Sequence, residues 1–500
     1  MRDHMAFFVL AAIVLLAAST AVSGVLITGQ RDVCVLGGGA AGMAAAVFAK
    51  DKGLSVVVIE SDAQVGGQCN TLQFVPPAQG LPNYIDVGVQ FFADTAAANA
   101  SGLGPWSIDA AAIVRRFAGA NSVYPLNFAT DTTPNFVVDL AAGIGVPPQN
   151  ATPESPAFYQ AYATLMGILY SYPWIDRADV PSPVPADLLL PFTDFITKYG
   201  LEPLVDSVFV PQLYAGGLGS FDKLTTLYAL LNMSPTITRI FSVPDAGFTV
   251  VGGCQQVYNG MQAYLNTPQD GVLLNAQTLV ALRPQASLRG SRAVIAGSLS
   301  NSKGVATGAF TYTCGKIVVA YPQTSASMQP LLPDAIERSL FSQVDVRYYF
   351  TGTLSATGGA AAQAGAFNML NFDLLSQSAI NVPALPSITQ LTRGLPYGPI
   401  QFKASSDGAM TVSAMKSVVA AQLQQGMPAW LLSNVSVTDI ILHRFQPHFS
   451  NAQLARAGGA YAALDALQGY RNTYYVGSLG HFAVSYQLWN AAYELVRDRF

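Results

Sequence analysis

The chain has 500 residues, enough for about two to three domains. Lys and Arg total 25 and Asp and Glu 29, so charged residues make up only 11% against 51% hydrophobic. This composition excludes a disordered chain, and a net charge of −4 without any Lys/Arg run argues against nucleic-acid binding.

Arg2 and His4 precede an apolar stretch, Met5 to Ala18, and then Ser19-Thr20-Ala21. This is the charged, apolar and small-residue order of a secretory signal peptide over residues 1–21. The apolar part falls short of the ~20 residues that a spanning helix needs. No other stretch reaches spanning length without Pro, Gly or charge, so a secreted chain with no stable membrane span is expected. Asn99, Asn150, Asn232 and Asn434 head Asn-x-Ser/Thr sequons and are candidate glycosylation sites, Asn232 being weakened by Pro235. Four cysteines are too few for a disulfide scaffold. Cys34 reads as an inert core thiol, and one bridge is possible with its partners open. His443, His448 and His481 lack zinc-site spacing, so no metal is expected.

Val33-Cys34-Val35-Leu36 reads as a buried parallel strand, and Met43 to Lys50 as a helix that Gly53 stops. Leu54 to Ile59 is a second strand ending at Glu60. Between the first strand and the helix lies Gly37-Gly38-Gly39-Ala40-Ala41-Gly42, in which Gly37, Gly39 and Gly42 fit G-x-G-x-x-G. Gly37, Gly39, Ala41 and Gly42 are the candidate pyrophosphate turn at a helix N-terminus, and Glu60 stands where an acid binds ribose hydroxyls. Six residues past that acid, Gly66-Gly67-Gln68 adds a glycine pair that NAD domains do not need. In FAD proteins of the glutathione-reductase-like type such a pair lets a second loop approach the cofactor. Asp86-Val87-Gly88 offers a further close approach. These segments make FAD the expected cofactor.

On these motifs the chain resembles the flavin monoamine-oxidase superfamily. Thr473-Tyr474-Tyr475-Val476-Gly477, a strand ending in glycine, and a helix over Ser485–Arg499 agree with it. The resemblance implies that this helix points its N-terminus at the flavin, that Gly477 lies against the cofactor, and that the strand near Leu279-Val280 passes the adenine. Tyr461 to Trp489 and Arg444-Phe445-Gln446-Pro447-His448-Phe449 are similar to the β-cyclopiazonate dehydrogenase-like branch. With the leader, the sequons and the low charge, they also resemble the secreted algal polyenoic fatty acid isomerases. Gln68 replaces an Arg usual in amine oxidases, and Ser478 a frequent Glu.

The fold class implied is α/β, a glutathione-reductase-like (Rossmann-type) FAD-binding domain interleaved with an α+β substrate domain. Residues 31–95, 245–322 and 435–500 are assigned to the first, 96–244 and 323–434 to the second. In chain order, helices are predicted near Pro156–Tyr170, Ala186–Tyr199, Leu224–Asn232 and Gln256–Leu265. Strands are predicted in Gly271–Leu282, Phe310–Val319, Val344–Leu354 and Gly408–Val412, with Ala409–Gln424 undivided.

No hydrolase triad and no second nucleotide fingerprint appear, so electrons pass to oxygen or return to the substrate. The resemblance points to an FAD-dependent isomerase that conjugates the methylene-interrupted double bonds of a polyunsaturated fatty acid. The alternative is an oxidase or dehydrogenase of an amine or apolar secondary metabolite; a flavin-bearing protein without turnover is a third. Tyr475 and His481 are the catalytic candidates, a structural histidine being the plainer reading of His481. Lys403 could stand for the water-binding lysine of amine oxidases, and Arg115, Arg116, Arg347 or Arg393 could anchor a carboxylate. The expected partner is a small apolar substrate, no nucleic acid is expected, and a homo-oligomer is left open.

Overall fold

The structure is a computed structural model describing residues 25–104, 106–128, 133–148, 155–285, 291–456 and 458–500. The expected signal peptide over 1–21 and the Asn150 sequon lie outside the described residues.

Two seven-stranded sheets organise the chain. Their strands are, in chain order, β1 (Val25–Leu36), β2 (Val56–Ile59), β3 (Asn135–Asp139), β4 (Ile144–Val146), β5 (Gly271–Leu273), β6 (Ala276–Leu282), β7 (Ala293–Ser300), β8 (Ala306–Val319), β9 (Val344–Ser355), β10 (Phe367–Asn371), β11 (Ser387–Arg393), β12 (Ile400–Ser406), β13 (Ser436–Phe449) and β14 (Thr473–Tyr475). Five helices matter for the site: α1 (Ala40–Asp51), α2 (Gln255–Leu265), α3 (Ala335–Phe341), α4 (Ala460–Ala466) and α5 (Ser485–Arg499).

The first sheet has the order β5-β2-β1-β8-β7-β6, with β14 added beside β8. β5, β2, β1, β8 and β14 run parallel, while β7 runs antiparallel to β8 and β6 antiparallel to β7. Val33–Leu36 and Val56–Ile59 are buried throughout because helices cover the sheet, which is why these runs do not alternate. α5 lies along α1, and Phe92, Trp489 and Phe248 stack in the core beneath. The second sheet has the order β13-β9-β12-β11-β10-β3-β4 and is antiparallel except where β10 meets β3. One of its faces is apolar: Phe350, Phe402, Ile400 and Ala404 pack with Met415 and Val419.

Several expectations need correction. Residues 435–500 do not belong whole to the FAD-binding unit, because Ser436–Phe449 is β13, paired with β9 at the edge of the second sheet. Gly408–Val412 is not a strand: Thr411 caps a helix, Val412–Ala421, by accepting from Ala414 N–H. Ala186–Tyr199 divides at Pro191 into a short 3-10 turn, Ala186–Leu189, and a helix, Phe192–Tyr199. Cys34 is not a free thiol. It bridges Cys314, and Cys69 bridges Cys254.

Among the described residues no helix is long and apolar enough to cross a membrane, and no group of His, Cys, Asp and Glu could hold a metal ion. Of the sequons, Asn99 is exposed but spends its amide on the Trp106 backbone, Asn434 is exposed beside Thr357, and Asn232 is half-buried at a helix end.

Candidate active site

β1 ends at Leu36 and the chain turns into α1 through Gly37–Gly39. α1 begins without a side-chain cap on its first-turn N–H groups, which leaves donors and the positive end of the helix dipole open to an anion. Gly42 is required by packing, because a Cβ there would overlap the Gly37 carbonyl oxygen. Gly39 is different. Its backbone is extended (φ −71°, ψ −174°), and a Cβ there would meet nothing of the chain nearer than Gly67 Cα at 3.9 Å. Neither conformation nor packing demands glycine at that position, so the bare backbone fits a group that the chain itself does not supply.

Glu60, at the end of β2, is buried, and its Oε2 accepts from Gly38 N–H at 2.5 Å while Oε1 accepts from Asp62 N–H at 2.8 Å. The glycine pair reaches the same turn: Gly66 N–H donates to the Gly38 carbonyl at 2.8 Å, and Gly66 bridges Gly39. Gly67 is exposed there, and Gln68 follows half-buried, its carbonyl accepting from Val89 N–H at 3.2 Å. Gly37, Gly39, Ala41, Gly42, Glu60, Gly66, Gly67 and Gln68 are therefore gathered at one crevice at the carboxyl ends of parallel strands, where α/β sheets bind dinucleotides. Val280 lies on β6, just past a register shift; β6 starts where Ala276 N–H donates to the Glu60 carbonyl at 2.8 Å. Gly477 follows β14, and its carbonyl takes the N–H groups of Gly480 and His481 at 3.1 Å each. α5 then begins, like α1, without a side-chain cap.

Tyr474 and Tyr475 alternate as expected. Tyr474 packs outward on Phe500, and Tyr475 turns inward against Phe341. The Tyr475 hydroxyl is engaged structurally, donating to Glu337 Oε1 at 2.8 Å. Glu337 is bound bidentate by Arg283, Nη1–Oε1 2.5 Å and Nη2–Oε2 2.8 Å, with both side chains fully buried. This network occupies the hydroxyl and leaves the expected role of Tyr475 to its ring, which lines a cavity. His481 is half-buried, has no hydrogen-bond partner for its ring among the described residues, and is held toward the neutral form by burial. It and Tyr475 line one cavity of about 420 Å³ with Asp179, Gln323, Asp465 and Gln468.

Lys403 gains from the fold the context it lacks in sequence. The pleat of β12 sends Ile400, Phe402 and Ala404 into the apolar cluster and turns Gln401, Lys403 and Ser405 to the opposite face. That face meets the first unit: Gln401 Oε1 accepts from Gln90 Nε2 at 2.9 Å, four residues past Asp86. The Lys403 ammonium has no hydrogen-bond or ion-pair partner among the described residues, and burial pushes it down to about 8. Beside it on β9, Thr351 Oγ1 lies 2.8 Å from His443 Nε2, and burial keeps His443 neutral. Of the candidate arginines one is ion-paired, and two keep a buried Nε without a hydrogen-bond partner, Arg347 and Arg393. Arg116 pairs with Asp51, Arg347 donates to the Lys223 carbonyl, and Arg393 donates to that of Ala362; Arg115 lies in the last turn of an amphipathic helix, exposed.

A parallel-sheet crevice with a bare glycine turn, an acid at the second strand and two uncapped helices defines a dinucleotide-binding flavoprotein fold. Comparison with known proteins agrees. Residues 35–102 match the NAD(P)-binding Rossmann-like domain family. An uncharacterized protein of Acanthamoeba polyphaga mimivirus is 33% identical over 477 residues, 94% of each chain. The FAD-dependent oxidoreductase pigF of Monascus ruber is 27% identical over 90% of this chain and 87% of its own. β-Cyclopiazonate dehydrogenase of Aspergillus oryzae is 23% identical over 93% and 92%. Among solved structures, a CLA-producing fatty acid isomerase from P. acnes superposes with a TM-score of 0.69 at 18% identity, over 94% of this chain and 99% of its own. Putrescine oxidase gives 0.58 at 16%, over 94% and 98%. The chain belongs to one family with the mimivirus protein and is an enzyme of the FAD-dependent oxidoreductase kind, with FAD as its cofactor.

Proposed function

We propose that this enzyme isomerises a polyunsaturated fatty acid to a conjugated product without net oxidation. The observation that carries the reading is Lys403: a half-buried, unpaired cation on the face turned toward the flavin-side segment suits a carboxylate headgroup. FAD, when bound, supplies a hydride acceptor and donor. Loss of hydride from a methylene between two alkenes leaves a cation delocalised over five carbons of the substrate. Return of the hydride to a terminal carbon of that set gives conjugation, with no electron lost and no strong base needed, in keeping with His443 and His448, which burial makes weak bases. The chain's part is to fix the headgroup with Lys403 and exclude water that would trap the cation.

A substrate deuterated at the bis-allylic carbon tests this. Conjugated-diene absorbance should rise without oxygen uptake, with label reappearing at a neighbouring carbon of the product. Oxygen consumed one for one with product would establish instead the oxidase or dehydrogenase alternative, which the likeness to putrescine oxidase in fold supports.

Lys403 carries a pH signature. Its charge is present below about pH 8 and lost above it, so kcat/KM for an anionic substrate should fall as pH rises through 8. Lys403→Met should remove that limb and raise KM about ten- to a hundredfold, the scale of one charged hydrogen bond. An unchanged pH profile in the variant would sink the assignment.

Export to an oxidising compartment with glycosylation at the exposed sequons is part of the same proposal. Its support is that all four cysteines are paired.

A further inference from the structure

The Gly66–Gly67 turn is fastened on two sides. On one it lies on the phosphate turn, through the hydrogen bond and bridge to Gly38 and Gly39. On the other, Cys69, whose N–H donates to the Gly66 carbonyl at 3.1 Å, is bonded to Cys254 at the head of α2, 185 residues away in sequence. A few hydrogen bonds join the same pieces. Gln255 Nε2 donates to the Val65 carbonyl at 2.7 Å, and Gln255 N–H to Thr71 Oγ1 at 3.1 Å. Asp86 accepts from Cys254 N–H at 3.0 Å and from Thr71 Oγ1 at 2.5 Å.

The other disulfide sits in a different mechanical setting. Cys34 and Cys314 belong to β1 and β8, which pair in parallel from Val25–Gly308 to Leu36–Val319. That ladder holds the two strands together whether or not the sulfurs are joined. The Gly66–Gly67 turn has no such ladder to α2.

We propose that the Cys69–Cys254 disulfide is a latch on the FAD site, so that retention of FAD responds to thiol reductants. Opening it takes a dithiol, which gives two electrons and two protons, closes to its own disulfide and leaves Cys69 and Cys254 as thiols. Both cysteines are only 1% exposed, so a reductant reaches them when the turn swings away from α2. The same swing uncovers the phosphate turn. FAD and reductant therefore compete for one opening, and linkage requires each to oppose the other. The inference rests on FAD as cofactor and is independent of the substrate.

The test uses holoprotein and dithiothreitol, with and without excess FAD. New thiols are trapped by alkylation and located by peptide mass, and bound flavin is read by absorbance after gel filtration. Cys69 and Cys254 should be labelled before Cys34 and Cys314, in step with flavin loss, and excess FAD should slow labelling about tenfold. Cys69→Ser/Cys254→Ser should weaken FAD binding about tenfold, while Cys34→Ser/Cys314→Ser binds as wild type. Flavin retained after Cys69 and Cys254 are reduced overturns the latch, as does a bond that resists reduction in FAD-free protein. If the Cys69→Ser/Cys254→Ser protein fails to fold, the reduction experiment decides alone.

Discussion

Gly39→Val is expected to give a folded, colourless protein. A Cβ at this position would meet nothing of the chain nearer than Gly67 Cα at 3.9 Å, so the substitution does not clash where it begins. The space it would fill is the space over the uncapped first turn of α1, where the pyrophosphate of FAD belongs. FAD affinity should drop by about a hundredfold or more, some 2.7 kcal/mol. Circular dichroism and thermal unfolding of the FAD-free forms should match those of the wild type. Gly42→Ala is the contrasting control. Its methyl would collide with the Gly37 carbonyl oxygen, so stability itself should suffer. A yellow Gly39→Val protein with wild-type flavin content would refute this placement of the cofactor.

Arg283→Met should destabilise the fold by about 3–5 kcal/mol, because it strands a buried carboxylate. Glu337 takes two hydrogen bonds from Arg283, one from Tyr475 and one from Asp334 N–H at 3.1 Å, and Arg471 lies 3.5 Å away. Urea titration reads the loss. Arg283→Met combined with Glu337→Leu should recover much of it, since an apolar pair of similar volume removes the buried carboxylate, and Arg471 keeps its bonds to the Pro284 and Leu332 carbonyls. The network also sets a pH dependence. Burial is the largest single effect and acts to raise the Glu337 carboxyl, but the Arg283 hydrogen bonds and charge, with the Asp334 N–H and the Tyr475 hydroxyl, together hold it below its ordinary value. A depressed carboxyl stabilises above its unfolded value, near 4.3, and that contribution is lost as pH falls through the folded one. Acid sensitivity of the wild type should accordingly weaken in the double variant.

The phosphate turn is legible in the sequence because its determinants are local. Strand, glycines, helix and Glu60 fall within about thirty consecutive residues, the span of one βαβ unit. The same holds for the end of β14, Gly477 and α5. What depends on distant pairing is not legible. Ser436–Phe449 has the composition of a strand for either sheet, and only its register with β9 assigns it. The cysteine partners are separated by 280 and 185 residues, and nothing local distinguishes one pairing from another. Lys403 has no motif around it. Its importance comes from the pleat that turns it away from Phe402 and Ala404, and from Gln90 meeting Gln401. The alternation of Tyr474 and Tyr475 is plain from the strand, but Glu337 and Arg283, which occupy the Tyr475 hydroxyl, lie on other elements far along the chain.

The position of β14 and α5 bears on how the protein is made. Gly477 and α5 are synthesised long after the first βαβ unit. At about 5–20 residues per second, tens of seconds separate the two. Throughout that interval β8 lacks its β14 neighbour and α1 lacks α5, so a nascent chain holds apolar surface without its cover. FAD is therefore expected to be held firmly only once Gly477 and α5 have docked, and flavin supplied after that point, rather than earlier in elongation, should govern the yield of active enzyme.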